Sequence, residues 1–83
     1  MIQVQLRYFA SIREALGCAS ETWQTGAATV ADLRLELLER GDAFQCLAAE
    51  KPVRMALNQV MCQPSELLTS GCEVGFFPPV TGG

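Results

Sequence analysis

The stretch Thr29-Val30-Ala31-Asp32-Leu33-Arg34-Leu35-Glu36-Leu37-Leu38-Glu39-Arg40-Gly41 decides the fold. Thr29 followed three residues later by Asp32 makes a capping box, and Gly41 is a natural C-terminal stop, so the spacing predicts the main helix between them. Val30, Leu33 and Leu37 fall on one face at helical spacing, with Leu38 widening it. Glu36 and Arg40 lie four apart in the favourable acid-then-base order, worth a few tenths of a kcal/mol. The charges of this helix read as a solvated face.

On both sides of the helix the period changes from that of a helix to that of a strand. Ile2, Val4, Leu6 and Tyr8 alternate with Gln3, Gln5 and Arg7, the pattern of a half-buried strand. Ser11 is predicted to begin a short helix, capped with Glu14, with Ile12, Ala15 and Leu16 on its inner face and Gly17 at its end. Ser20 to Gln24 forms a second strand around Thr22 and Trp23, and Gly26-Ala27-Ala28 a loop. Beyond Asp42, Phe44, Leu47 and Ala48 predict a short second helical turn that Glu50-Lys51-Pro52 breaks. Val53, Met55 and Leu57 alternate with Arg54 and Ala56 in a third strand. Asn58-Gln59 reads as a tight turn, because Asn tolerates the left-handed conformation, and Val60 to Cys62 as a brief strand. Pro64-Ser65-Glu66 starts a turn, Leu67 and Leu68 point inward, and Ser70-Gly71 turns into a last strand over Glu73 to Phe77. In that strand Val74 and Phe76 share one face, and Gly75 and Phe77 the other. A helix between two strand groups predicts an α+β domain, one helix on a mixed sheet.

Length and composition bound the rest. With 83 residues, 49% of them hydrophobic and 18% charged, the chain is expected to fold as one small domain. Nine acids against six bases give a net charge of −3, which argues against nucleic acid and against an anionic membrane surface. No apolar run approaches the length of about 20 residues that spans a bilayer, and the N-terminus lacks the pattern of a secretory signal. The expected address is the cytoplasm. Cys18, Cys46, Cys62 and Cys72 contain no C-x-x-C pair and the chain has no histidine, so zinc and thioredoxin-like chemistry are poorly supported. In a secreted domain they could form two disulfides; in a reducing compartment they would be free thiols behaving as small core hydrophobes. The missing histidine also excludes Cys–His and Ser–His nucleophiles. No Gly-rich phosphate loop occurs, since Gly71 and Gly75 match neither nucleotide-binding spacing.

One chemically suggestive feature remains, Phe76-Phe77-Pro78-Pro79-Val80-Thr81-Gly82-Gly83. The phenylalanines anchor the last strand, the prolines force an extended path, and the glycines let the terminus thread a passage too narrow for a side chain. Extended, Pro78 to Gly83 reaches roughly 20 Å. Two terminal glycines arise by chance in roughly 0.5% of chains, so the pair alone does not prove a role. The chemistry would belong to the Gly83 carboxylate, ionised at neutral pH and a poor electrophile until activated.

The opening Ile2-Gln3-Val4-Gln5-Leu6-Arg7-Tyr8-Phe9-Ala10, the following Ile12-Arg13-Glu14-Ala15-Leu16-Gly17, Thr29-Val30-Ala31-Asp32-Leu33, Ala56-Leu57-Asn58-Gln59 and the block from Gly71 to Gly83 resemble the small subunits of molybdopterin synthase. These are sulfur-carrier proteins of the ubiquitin-like β-grasp type. The resemblance spans essentially the whole chain and is most specific at the terminus. It implies an α+β, β-grasp domain over residues 1–77, with a mixed sheet of about five strands on one main helix plus short helices. An extended carrier tail over residues 78–83 would follow. Gly83 would be adenylated by an E1-like adenylyltransferase that binds ATP and magnesium, with no cofactor on this chain. It would become a thiocarboxylate using sulfur from a sulfurtransferase, and deliver that sulfur to cyclic pyranopterin monophosphate in the large subunit, within a heterotetramer. Gly82, Thr81, Val80, Pro79 and Pro78 would thread the partner's passage. Phe77 and Phe76 are the partner-binding candidates, alternation favouring Phe76 inward and Phe77 outward. Arg7, Arg13, Arg40, Lys51 and Arg54 read as solvated charge, with rim contacts as the alternative. Cys72 departs from the family pattern, where aspartate usually follows the turn glycine, and its expected exposure predicts oxidative dimers. A carrier of the thiamin type and a ubiquitin-like protein modifier are the competing readings.

Overall fold

Strand β1 (Ile2–Tyr8) buries Val4, Leu6 and Tyr8 and exposes Gln3, Gln5 and Arg7, so its period-two pattern becomes two distinct sheet faces. A computed structural model describes residues 1–48 and 53–78. The elements that follow are α1 (Ala10–Leu16), β2 (Ser20–Thr25), α2 (Val30–Leu38), a 3-10 helix (Asp42–Leu47), β3 (Arg54–Leu57), β4 (Val60–Met61) and β5 (Glu73–Phe77). The sheet order is β2-β1-β5-β3-β4. β1 and β5 run parallel at its centre, and the other neighbours are antiparallel. This is the α+β, ubiquitin-like β-grasp arrangement. Val30, Leu33 and Leu37 of α2, with Ile12 and Leu47, pack on Val4, Leu6, Tyr8, Met55, Val74 and Phe76 to form the core. The helices therefore cover one sheet face and leave the other open.

The start of α2 follows its sequence: Thr29 Oγ1 accepts the Asp32 N–H at 3.1 Å. The Val30 and Ala31 N–H groups donate to the carbonyls of Glu66 and Pro64, which pins the 63–68 loop to the helix start. The helix ends three residues before Gly41, because the Glu39 and Arg40 N–H groups bond back three residues in a tighter final turn. Gly41, at φ 138°, instead opens the 3-10 helix, a conformation that side chains rarely adopt. Gly17 caps α1 at φ 76°, and Asn58 and Gln59 turn β3 into β4 at φ 51° and 69°.

Several expectations are corrected. α1 starts at Ala10, so Ser11 lies inside it, and the capping position is Phe9, whose side chain makes no cap bond. The Phe9 carbonyl accepts from Ile12 and Arg13, and its N–H donates to Phe76 at 3.2 Å, so sheet pairing fixes the helix start. Ala15 is exposed. Leu67 is 68% exposed while Leu68 turns inward, because a single bridge between Leu67 and Thr29 holds the loop across α2. Glu36 and Arg40 find tertiary partners in place of each other: Glu36 accepts the Trp23 indole N–H and Arg40 pairs with Glu21, each at 2.7 Å. Cys72 is 3% exposed within the core, which overturns its expected exposure and the oxidative dimers built on it. The break at Glu50-Lys51-Pro52 lies outside the described residues.

Candidate functional site

The parity of β5 separates its two phenylalanines. Phe76 is 0% exposed and stacks on Tyr8, ring centroids 6.1 Å apart, so of the two partner-binding candidates it belongs to the core. Its neighbour Phe77 stands half-buried on the open face. There its ring stacks on Phe9, with centroids 4.3 Å apart and planes within 4°.

The floor beneath these rings is Gly75. A Cβ at that position would lie 3.2 Å from Phe9 Cε2 and 3.3 Å from Phe77 Cε1, so a bare α-carbon lets both rings settle on the sheet. Strand register then places Arg7, Gly75, Ala56 and Met61 in one row across the open face. Arg54 stands opposite Phe77. The Arg7 guanidinium is 5.8 Å from the centre of the Phe9 ring and 3.7 Å from the Glu73 carboxylate. Arg54, Met61, Phe77 and Pro78 line a groove of about 360 Å³, and Met61 is 53% exposed. Apolar surface thus surrounds the point where the chain leaves the sheet. Of the expected tail, Pro78 is described; Pro79, Val80, Thr81, Gly82 and Gly83 lie outside the described residues.

Phe9 and Met61 were absent from the sequence reading of this site. The signal for Phe9 was the alternation of β1 itself: one step past inward-facing Tyr8, the next side chain faces out, beside outward-facing Phe77. Met61 had a weaker signal, because a strand of two residues carries no period.

The polar interactions elsewhere are structural in character. On the helix side of the sheet, Tyr8 donates its hydroxyl to Glu21 at 2.7 Å, and Arg40 reaches the same carboxylate oxygen. The Arg40 guanidinium lies between the Trp23 and Phe44 rings, 4.3 and 4.5 Å from their centres. Burial, then the Glu21 hydrogen bond, push the Tyr8 hydroxyl far above its ordinary range. Burial also raises the Glu21 carboxyl, but hydrogen bonds from Arg40 and Tyr8 outweigh it and leave the group below its ordinary value. Burial raises the Cys46 and Cys62 thiols, which weakens them as nucleophiles. Among the described residues no cluster of three metal-ligating side chains occurs. The described residues thus place a stacked aromatic pair beside the end of the last strand.

Comparison with known proteins gives this geometry a context. The family model described as the ThiS family matches residues 6–83. The chain is 32% identical over 80 residues to the molybdopterin synthase sulfur carrier subunit of Escherichia coli (strain K12), covering 96% of this chain and 99% of that protein. It is 30% identical to a solved structure of a putative molybdopterin converting factor, subunit 1, from Pyrococcus furiosus, with a TM-score of 0.79 over 96% of this chain and 100% of that one. The solution structure of small archaeal modifier protein 1 from Methanosarcina acetivorans is 25% identical, with a TM-score of 0.81 over 100% of this chain and 98% of that one.

Proposed function

This chain belongs to the ThiS family, and from that membership we propose that it is the sulfur carrier and small subunit of a molybdopterin synthase. The observation that carries the reading is the near end-to-end match to a relative bearing that name, joined to a Gly82-Gly83 terminus. In this reading the Gly83 carboxylate attacks the α-phosphate of ATP on an adenylyltransferase that also holds magnesium, and pyrophosphate leaves. The terminal sulfur of a sulfurtransferase persulfide then attacks the acyl carbon and AMP departs; a second thiol cleaves the resulting acyl disulfide, forming a disulfide with the carrier sulfur and leaving a thiocarboxylate. The large subunit receives the tail, holds the catalytic groups and transfers the sulfur to cyclic pyranopterin monophosphate, in a cytoplasmic heterotetramer.

The division of labour suits the geometry. An activated acyl group in water hydrolyses, so the reacting carbon is best carried into pockets that other chains build. The prolines restrict the start of the arm, and the two glycines, although they lose the most backbone freedom on ordering, let its end fit a passage too narrow for a side chain. The Phe9–Phe77 stack holds the base of that arm, and the apolar surface with Met61 and Pro78 gives a partner a place to dock.

The test is the intact mass of the protein isolated from its own organism. One oxygen replaced by sulfur at the terminus supports the carrier, and co-purification of a large synthase subunit separates it from a thiamin-type carrier. A second reading, a protein modifier joined through Gly83 to target lysines, draws on the likeness to small archaeal modifier protein 1. A ladder of covalent conjugates in cells, with no thiocarboxylate, would establish that reading in place of the first.

A further inference from the structure

The open sheet face carries an uneven set of charges. The chain as a whole has a net charge of −3. Yet the carboxylates of Glu14, Asp32, Glu36 and Asp42 lie on the helices, across the sheet from the open face, and Glu21 turns to Tyr8 on that same helix side. The open face holds Arg7, Arg54 and Glu73, and Glu66 stands near Cys62 at the far end of the second groove that Arg54 lines. Arg7 is already engaged, by Glu73 at 3.7 Å and by the Phe9 ring. Arg54 is exposed, and no described side chain pairs with it. It stands opposite Phe77 and forms the wall shared by two grooves: one with Met61, Phe77 and Pro78, the other running to Cys62, Gln63 and Pro64.

A partner that covers the base of the tail must cover Arg54 as well. A guanidinium buried without a counter-charge opposes binding strongly, whereas one met by a carboxylate gains a bidentate, geometry-specific contact. We propose that Arg54 is the specificity-determining residue of the docking face, and that the subunit receiving the tail places a carboxylate against it. The proposal rests on the reading that this face docks on a large synthase subunit. It assigns the two arginines different parts: Arg7 already faces Glu73 and the Phe9 ring within the chain, while Arg54 is left for the partner. It also gives the face a means of rejecting proteins with basic surfaces, since like charges brought together there repel.

The test measures the Kd of the full chain for the large synthase subunit of the same organism, at low and high salt, by calorimetry. Arg54→Gln is expected to bind about tenfold more weakly at low salt and to lose much of the salt dependence, while Arg13→Gln, exposed on α1 away from the open face, stays within about threefold of wild type. Thermal melts of Arg54→Gln should match wild type, because the residue has no partner among the described side chains. If Arg54→Gln keeps wild-type affinity and salt dependence while Phe77→Ala binds weakly, the Arg54 assignment fails and the docking reading stands. A wild-type chain that does not bind the large subunit overturns both.

Discussion

The rings of Phe9 and Phe77 lie parallel, 4.3 Å apart, above the bare α-carbon of Gly75. Phe9 follows the first strand and Phe77 ends the last, so the stack ties the base of the tail to the parallel pair at the centre of the sheet. For the proposed entry into another protein, a fixed base helps, since each freely rotating residue lowers the fraction of productive encounters.

Gly75→Val tests the floor of that stack. Its β-carbon alone would meet the two rings at 3.2 and 3.3 Å, and its methyl groups would displace them. The expected cost is about 1–3 kcal/mol of stability by urea denaturation, as for overpacked sites, with a weaker large-subunit complex in calorimetry. Unchanged values in both would show that the rings are free to move aside.

Adjacent phenylalanines should behave in opposite ways. Phe76→Ala empties a fully buried site against Tyr8 and should cost about 3–5 kcal/mol of folding stability. Phe77→Ala and Phe9→Ala remove half-buried surface on the open face. They should alter the urea midpoint much less while weakening the large-subunit complex by about 2 kcal/mol. Equal effects of Phe76→Ala and Phe77→Ala on stability would contradict the division of the two faces.

Stability should fall at both ends of the pH scale through one hydrogen-bonded pair. The Glu21 carboxyl lies below its ordinary value when folded, so the folded state binds fewer protons; its contribution is present above the unfolded value and lost as acid protonates it. The Tyr8 hydroxyl is raised when folded. Its contribution is therefore intact below the ordinary tyrosine value of about 10 and declines above it, where the unfolded chain ionises first. Melting temperatures against pH check both limbs: Glu21→Gln should flatten the acid limb and Tyr8→Phe the alkaline one.

Cys72 should resist modification in the folded state. It is nearly inaccessible, whereas Cys18, Cys46 and Cys62 are half-buried. A thiol reagent followed by mass mapping should label Cys72 last, at a rate that rises in urea. Non-reducing gels should show no dimer that Cys72→Ser abolishes, and that substitution should lower stability by about 1–3 kcal/mol by placing a hydroxyl in the core.

Local signals were legible where the backbone itself sets the structure. The Thr29 cap, the left-handed Gly17 and Asn58, and the alternation within β1 and β5 each depend on a few neighbouring residues. Readings failed where a distant segment outcompeted a local partner. Glu36 and Arg40 suit each other along α2, but Trp23 and Glu21 of β2 engage them instead, each at 2.7 Å. The start of α1 moved because Phe9 joins β5, and Leu67 faces out because its loop is fastened to α2.

By itself the sequence determined the class of fold and the order of elements. Periodicity, caps and turn residues are local, so a few neighbouring residues suffice to read them. Tertiary structure alone decided which residues gather around Phe77 and Pro78, where the last strand ends. Gly75, Ala56, Arg54 and Met61 come from three strands and Phe9 directly follows a fourth, and only the register of β1, β5, β3 and β4 brings them onto one face. Strand register is set by burial of the opposite face in the core, a constraint on the whole sheet that no single stretch contains.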